Sequence, residues 1–333
     1  MKQRTLAALL LTTIGAGLPL TAMAQDQQAP TTEAESRNDI PELAEELEQE
    51  MDQSDENTSN GRAMEQEVEE YEARERLIGS LIGGFVPYQP TYILPYTYVD
   101  NPNQTPDSPR LGESTYDSRL QSEEAKYQIS FRVPLLTGML DDSTTLWFGY
   151  TQTSFWQVYD TEESAPFRET NYQPEVFVRQ RLGWDLGPGQ LTSASIGFTH
   201  QSNGQSEPRS RSWNRIKGSI AYTYDRWLFM VNPWYRLPEN DRDDDNPDIE
   251  EYMGYADYIA VYKWNDDHVI STRLLNNLRT EDNKTSVELG YSFPLGETIK
   301  GYIQYYNGYG ESLIDYNERT HRIGIGIMLN DWL

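Results

Sequence analysis

The stretch from Leu191 to Ser202 reads LTSASIGFTHQS, and its side chains alternate in character along the chain. In a β-strand, successive side chains point to opposite faces. One face then carries Ile196, Phe198, His200 and Ser202, whereas the other carries small and polar residues. An apolar face backed by a polar one predicts a strand whose outer side contacts lipid.

A second alternating stretch, from Trp213 to Tyr224, follows after a short polar segment. If the two stretches form a hairpin, Asn214 can lie beside His200 at its upper end. A nucleophile (Ser202), a base (His200) and an orienting group (Asn214) would then meet on an apolar wall, which indicates a lipid substrate. His-x-Ser alone is a weak pattern. The alternative to a catalytic role is that His200 is a rim residue at a strand end whose hydrogen bonds are satisfied.

Short alternating segments continue through most of the chain, joined alternately by short turns and long polar loops. This pattern is typical of outer membrane barrels, and a soluble β-sandwich or barrel is the rival. We expect an all-β fold, a twelve-stranded antiparallel transmembrane β-barrel. The predicted strands are Thr91–Val99, Lys126–Val133, Thr144–Val158, Asn171–Leu182, Gln190–Ser202, Trp213–Tyr224, Arg226–Tyr235, Met253–Lys263, Val269–Leu278, Thr285–Pro294, Ile299–Tyr306 and Thr320–Leu329.

The chain before the barrel divides into two segments. Residues 1–24 have a basic start, an apolar run and a small-residue cleavage site, which predict a signal peptide. Residues 25–84 form an acidic extension, which we expect to be periplasmic and largely disordered, with marginal helices at Pro41–Met51 and Ala63–Ile78. A docking or plugging role is the alternative for this extension. The barrel domain would occupy residues 85–333.

The composition excludes some kinds of partner and site and favours others. The net charge of −26 argues against nucleic acid as a partner but favours divalent cations. Cysteine is absent, which excludes disulfides and thiolate metal sites. The 23 tyrosines and 8 tryptophans suit a barrel with aromatic belts at the membrane surfaces.

Five segments of the chain form a specific set of motifs. They are HQSNGQSEPRSRSWNR (His200–Arg215), YTQ (Tyr150–Gln152), SAPFRETNY (Ser164–Tyr172), DNPDI (Asp245–Ile249) and YGESLIDYN (Tyr309–Asn317). Together they resemble the outer membrane phospholipase A family, in order, over roughly residues 85–333. The resemblance implies a twelve-stranded barrel that hydrolyses phospholipid acyl esters, depends on Ca²⁺ and is active as a homodimer.

The resemblance implies roles for single residues. Ser202 would be the nucleophile, His200 the base and Asn214 the orienting residue, with the backbone amide of Gly204 in the oxyanion hole. A Ca²⁺ site shared by two subunits would use the side chain of Ser210, the carbonyl of Gln205 and a carbonyl at Ser164 of the other subunit. A second site in the loops would use Glu207 and Asp245, both oxygen ligands suited to Ca²⁺. The alternative is that these two acids belong to a solvated loop and do not bind Ca²⁺.

Gln152 is predicted to lie on the lipid-facing row of its strand. A lone amide facing lipid lacks hydrogen-bond partners, and a second subunit would supply them. The resemblance also implies that this position lies in the dimer interface. A register error of one residue would instead turn Gln152 into the barrel interior.

The chain departs from the resemblance at both ends. The acidic extension is longer than expected, and the C-terminus reads Trp332-Leu333 where a terminal aromatic residue is usual.

From the resemblance and the predicted catalytic residues, we expect a calcium-dependent phospholipase (A1/A2 and lysophospholipase activity) in the outer membrane of a Gram-negative bacterium. A non-enzymatic barrel, a porin or an adhesin, is the alternative.

Overall fold

The computed structural model describes residues 63–80, 84–162, 164–265, 267–296 and 299–332. The predicted signal peptide, the predicted helix at Pro41–Met51 and the rest of the extension before residue 63 lie outside this range. The elements are α1 (Ala63–Ser80), β1 (Val86–Pro87), β2 (Thr91–Val99), β3 (Glu123–Thr137), β4 (Thr144–Trp156), β5 (Phe167–Leu186), β6 (Gly189–Ser202), β7 (Ser212–Tyr224), β8 (Trp227–Arg236), α2 (Ile249–Met253), β9 (Ala256–Lys263), β10 (Val269–Asn276), β11 (Thr285–Pro294), β12 (Lys300–Gly308) and β13 (Thr320–Asn330).

Strands β2 to β13 form a closed antiparallel barrel. Each strand pairs with its neighbours in the chain, and β13 returns to pair with β2. The short β1 continues the edge of β2 along β3, where Val86 lies opposite Arg132. No helix in the described part of the chain is long and apolar enough to cross a membrane. The predicted twelve-stranded barrel is confirmed.

Each predicted strand appears in the structure, with small shifts at its ends. The largest differences are at β5 and β3, which both extend in both directions. Met253, predicted to begin a strand, instead ends helix α2. Leu278, predicted at the end of a strand, lies in a loop with a positive φ of 54°. The strands end where the polar loops begin, which the alternating pattern alone locates only approximately.

The two barrel surfaces differ in chemistry as the alternation predicts. The outer wall carries exposed apolar side chains such as Ile196 (63% exposed) and Ile220 (50% exposed). The interior carries buried charges that are paired with one another, because an unpaired charge would be costly there. At the loop end, Arg322 pairs with Glu124 at 2.7 Å and with Glu311 at 2.8 Å, and Lys126 reaches Glu311 at 3.0 Å.

Helix α1 packs against the barrel at the end that carries the short turns. Its Met64 is fully buried and its backbone N–H donates to the carbonyl of Asp225 in the β7–β8 turn at 2.9 Å. Glu75 pairs with Arg132 of β3 at 2.7 Å, and both side chains are buried. Helix α1 and the barrel belong to one compact unit.

Residues 63–80 form the helix that the sequence predicts at Ala63–Ile78, and this helix lies against the barrel. The acidic residues that made this segment look like a solvated tail instead meet cations of the barrel interior. Glu72 pairs with Arg179 at 2.7 Å, and Glu67 pairs with Lys263. The predicted domain boundary at residue 85 thus divides residues that pack together.

Trp332, the aromatic residue near the C-terminus, also lies at the end of the barrel that carries the short turns. Trp332 packs against the buried cluster that contains Met64, Leu228 and Val261. The C-terminal segment and helix α1 therefore pack against the same apolar cluster of the barrel interior.

Candidate active site at the loop end of the barrel

Strands β6 and β7 bring the three predicted catalytic residues together. In their antiparallel register His200 lies opposite Asn214, and Ser202 lies opposite Ser212. The three residues lie at the loop end of these strands, next to the exposed Phe198 and Ile216 of the outer face. The predicted pairing of His200 with Asn214 and their outward register are confirmed. Their catalytic roles stay predictions at this point.

Among the described residues, the ring of His200 makes one polar contact. Its Nδ1 lies 2.9 Å from Oδ1 of Asn214. Because an amide oxygen only accepts, Nδ1 carries the proton in this arrangement and Nε2 keeps its lone pair. A neutral imidazole with a free Nε2 is the form that can accept a proton from a hydroxyl.

Ser202 lies two residues after His200 on the same face, and its side chain is half-buried. Among the described residues, no hydrogen bond joins its hydroxyl to the imidazole. Catalytic hydrogen bonds are often long before substrate binds and shorten in the complex. The i, i+2 spacing on one strand face places the two side chains as neighbours.

Gly204 follows in the β6–β7 loop with a positive φ of 65°. A Cβ at this position would lie 3.2 Å from the ring of Tyr172, so a larger residue would be both strained and crowded. Its backbone N–H has no acceptor among the described residues. An N–H that is free and exposed beside Ser202 suits an oxyanion hole.

Asn203 fixes this loop, a role that the sequence did not reveal. Its Oδ1 accepts from the N–H groups of Gln205 at 3.2 Å and Arg211 at 3.0 Å, and its Nδ2 donates to the carbonyl of Arg209 at 2.8 Å. An Asn between Ser and Gly could have been read as an Asx turn. The contacts to residues 209 and 211 depend on how the loop closes.

Three of the predicted calcium ligands lie close together. The Ser210 hydroxyl donates to Oδ2 of Asp245 at 2.5 Å, and Asp245 and Glu207 share one partner, Arg110. Arg110 Nη2 is 2.9 Å from Oε1 of Glu207 and also contacts Oδ1 of Asp245. These carboxylates hold the pKa of Arg110 above its ordinary value, with the hydrogen bond to Glu207 as the main cause.

The other two predicted ligands are placed differently. The Gln205 side chain donates through Nε2 to Oε2 of the buried Glu169 at 2.7 Å, a contact that does not involve the predicted ligand, its backbone carbonyl. Ser164 lies in the β4–β5 loop, is exposed and has a positive φ of 58°. It makes no contact with Ser210 in the described part of this single chain. Within the described ranges, no group of three or more acidic, histidine or cysteine side chains is arranged to hold a metal.

Gln152 lies on the outer face of β4, as predicted, but its amide has partners within the chain. Its Oε1 accepts from the Tyr150 hydroxyl at 2.9 Å, and its Nε2 donates to Ser154 Oγ at 3.2 Å. The argument that this amide lacks partners on the wall is therefore wrong, because neighbouring hydroxyls of the same face supply them.

The remaining two histidines each contact an aromatic side chain. His268 Nδ1 contacts the Tyr291 hydroxyl at 2.8 Å, and His321 packs edge-on against Tyr305. Neither has a serine–asparagine arrangement like that around His200.

One acid beside the three predicted catalytic residues was missed. Glu239, in the loop that follows β8, accepts a hydrogen bond from Nδ2 of Asn214 at 3.0 Å. Burial raises the pKa of Glu239, and the hydrogen bond from Asn214 opposes that rise. No local pattern marks this residue, because it lies 25 positions after Asn214.

The chain is similar to known proteins over most of its barrel. A family model described as Phospholipase A1 matches residues 68–329. A putative phospholipase A1 of Neisseria meningitidis is 41% identical over 249 residues, which cover 73% of this chain and 65% of that protein. The phospholipase A1 of Escherichia coli K12 is 40% identical over 247 residues, covering 74% of this chain and 81% of that protein.

Two solved structures share the fold over most of their length. Outer membrane phospholipase A from Escherichia coli matches with a TM-score of 0.68 and 38% identity, covering 75% of this chain and 93% of that one. The Salmonella typhi outer membrane phospholipase, solved as a dimer with bound calcium, matches with a TM-score of 0.69 and 37% identity, covering 75% of this chain and 93% of that one. The porin or adhesin alternative is thereby wrong: the chain belongs to the phospholipase A1 family and is an enzyme of the Gram-negative outer membrane.

Proposed function

We propose that the chain hydrolyses the acyl esters of membrane phospholipids through Ser202, His200 and Asn214. The observation that carries this proposal is the 2.9 Å contact between His200 Nδ1 and Asn214 Oδ1, on the outward face that also bears Ser202. The contact leaves His200 Nε2 free to act as a base. The face lies toward the membrane, where phospholipid is the abundant ester.

The chemistry follows from these positions. Ser202 Oγ attacks the ester carbonyl carbon while His200 Nε2 takes the hydroxyl proton, and Asn214 keeps the imidazole in place. The tetrahedral species then releases the lysophospholipid, whose oxygen takes the proton from His200. A water molecule repeats the sequence on the acyl-enzyme, which frees the fatty acid and restores Ser202.

Negative charge develops on the carbonyl oxygen in both steps. The free N–H of Gly204 could donate to that oxygen, and a preorganised donor of this kind typically contributes a hundredfold or more to turnover. The Asn203 hydrogen bonds hold the loop that presents Gly204. Acyl chains would lie along the apolar wall formed by Phe198, Ile196 and Ile216.

Calcium would be held by oxygen donors at the loop end. The donor set fits a hard cation, because Ser210, Glu207 and Asp245 converge on one place and present hydroxyl and carboxylate oxygens. Bound calcium would supply positive charge near the oxyanion. Arg110 contacts both carboxylates, so the loop site must release this guanidinium before it can take a metal.

A homodimer would complete the calcium site that two subunits share. The carbonyl at Ser164 of one subunit would join Ser210 and the Gln205 carbonyl of the other, and Gln152 would lie at the interface. The related Salmonella typhi protein was solved as a dimer with calcium. The exposed position of Ser164 and the outward position of Gln152 on this chain are compatible with that assembly.

The deciding experiment measures phospholipid hydrolysis in detergent micelles, with Ser202→Ala compared with wild type. We expect a loss on the order of a thousandfold or more, because nucleophile and base act as a unit. Ser206→Ala, an exposed serine of the same loop, is the matched control and should retain activity. Near-normal turnover of a folded Ser202→Ala variant would refute the mechanism.

A further inference from the structure

Glu239 contacts the asparagine that orients His200. It lies just after β8, is half-buried, and accepts from Nδ2 of Asn214 at 3.0 Å. Within the described chain, Asn214 is the one side chain to which the Glu239 carboxylate is hydrogen-bonded. Consecutive hydrogen bonds therefore link the Glu239 carboxylate to the Asn214 amide and the Asn214 amide to the His200 imidazole.

The direction of the Asn214 amide decides the chemistry of His200. An asparagine side chain can present either its oxygen or its NH₂ group, because the two ends have nearly the same shape. If the oxygen meets His200, Nδ1 must carry the proton and Nε2 is a base. If the NH₂ group meets His200, Nδ1 must accept, the proton moves to Nε2, and the imidazole cannot take a proton from Ser202.

A carboxylate next to the amide removes this ambiguity. Ionised Glu239 can only accept hydrogen bonds, so it draws the NH₂ end of Asn214 toward itself. The oxygen of Asn214 then has to face His200. An aspartate in place of Asn214 would need no such partner, because both of its oxygens accept.

We infer that Glu239 is a positioning residue of the hydrolytic reaction: it fixes the orientation of the Asn214 amide and, through it, the proton on His200 Nδ1. This inference rests on the proposed function of Ser202, His200 and Asn214. Glu239 does not touch the substrate. It acts through Asn214, and its effect should appear in the tautomer of His200 and in kcat.

The loop that carries Glu239 does not depend on it for its place. The backbone N–H of Leu237 donates to the carbonyl of Asn214 at 2.8 Å. Further along, Arg236 pairs with Asp244 at 2.6 Å, and Asn246 accepts from the N–H of Ser212 at 3.0 Å. Substitution of Glu239 should therefore leave the loop and the barrel folded.

The test is Glu239→Gln, because glutamine keeps the shape but can offer either an oxygen or an NH₂ group to Asn214. Asp241→Asn is the matched control: it removes one negative charge from the same loop, and the Asp241 side chain is exposed and forms no hydrogen bond or ion pair in the described chain. Each full-length variant is labelled with ¹⁵N-histidine, and imidazole nitrogen shifts are recorded in micelles. The chain has three histidines, so the His200 signals are identified by their loss in His200→Ala.

In wild type and Asp241→Asn, we expect the neutral form of His200 to carry its proton on Nδ1 and none on Nε2. In Glu239→Gln, the Nε2-protonated tautomer should appear, and kcat should fall roughly tenfold with little change in KM, since one charge-assisted hydrogen bond is lost. In an Asn214→Ala background, Glu239→Gln should have no further effect on kcat.

A Glu239→Gln enzyme with the wild-type tautomer and wild-type kcat would overturn the inference. So would an equal loss of kcat in the presence and absence of Asn214, because Glu239 would then act by another route. Failure of the proposed function is seen separately, as activity that survives Ser202→Ala.

Discussion

The docking of helix α1 can be tested by truncating the residue that anchors it. Met64 is fully buried against a small apolar cluster of the barrel interior, formed by Ala221, Leu228, Ile259 and Val261. Met64→Ala removes most of this contact while leaving the barrel strands unchanged. We expect the helix to leave its place more often, and the barrel to remain folded.

The size of the effect follows from the burial. Truncating a fully buried methionine to alanine costs roughly 2–5 kcal/mol. The low end, about 2 kcal/mol, applies here, because the helix can shift to fill part of the void. The ion pair of Glu67 with Lys263 adds little, since Glu67 is about a third exposed. A loss of about 2 kcal/mol raises the undocked population by roughly thirtyfold.

Limited proteolysis under native conditions measures that population. Trypsin can cut at Arg74 and Arg76 of the helix, and the cleavage rate follows the open fraction when opening is fast compared with cleavage. We expect a cleavage rate roughly thirtyfold above wild type in Met64→Ala. The matched control is Met139→Ala, the same substitution at an exposed methionine of the β3–β4 turn, which should leave the rate unchanged.

Two results would refute this reasoning. The first is an unchanged cleavage rate in Met64→Ala, which would mean that the buried methionine does not hold the helix. The second is a barrel that loses its heat resistance together with the helix, which would mean that α1 is part of the barrel's own folding unit and does not dock as a separate element.

The remaining predictions concern the active site and its metal. Asn214→Ala should lower turnover by less than Ser202→Ala does, because Asn214 orients the base and does not react; an equal loss in a folded variant would contradict this. Ser210→Ala should weaken both the response of activity to calcium and the calcium-induced dimer fraction in sedimentation, and a variant that dimerises normally with calcium would count against the shared site. Arg110→Gln should raise calcium affinity in a titration followed by calorimetry, because Glu207 and Asp245 lose the guanidinium that competes with the metal; an affinity equal to that of wild type would show that these carboxylates do not bind calcium.

The sequence by itself determined the barrel and the core of the candidate site. Alternation with period two assigns every residue of a strand to one face, so the outward row of Phe198, His200 and Ser202 follows from local chemistry. If β6 and β7 pair as a hairpin, His200 and Asn214 can lie side by side at its upper end. The sequence therefore predicts this pairing, and the observed register agrees with it.

The tertiary structure alone decided the contacts made by loops and by the N-terminal helix. Glu239 reaches Asn214 across 25 residues, and Arg110 reaches Glu207 across 97. No repeating pattern encodes such contacts, because each depends on how a long loop folds back over the barrel. The acidic face of α1 illustrates the same limit: its carboxylates read as a solvated tail because the cations that neutralise them, Arg132, Arg179 and Lys263, lie far along the chain on the inner side of the barrel.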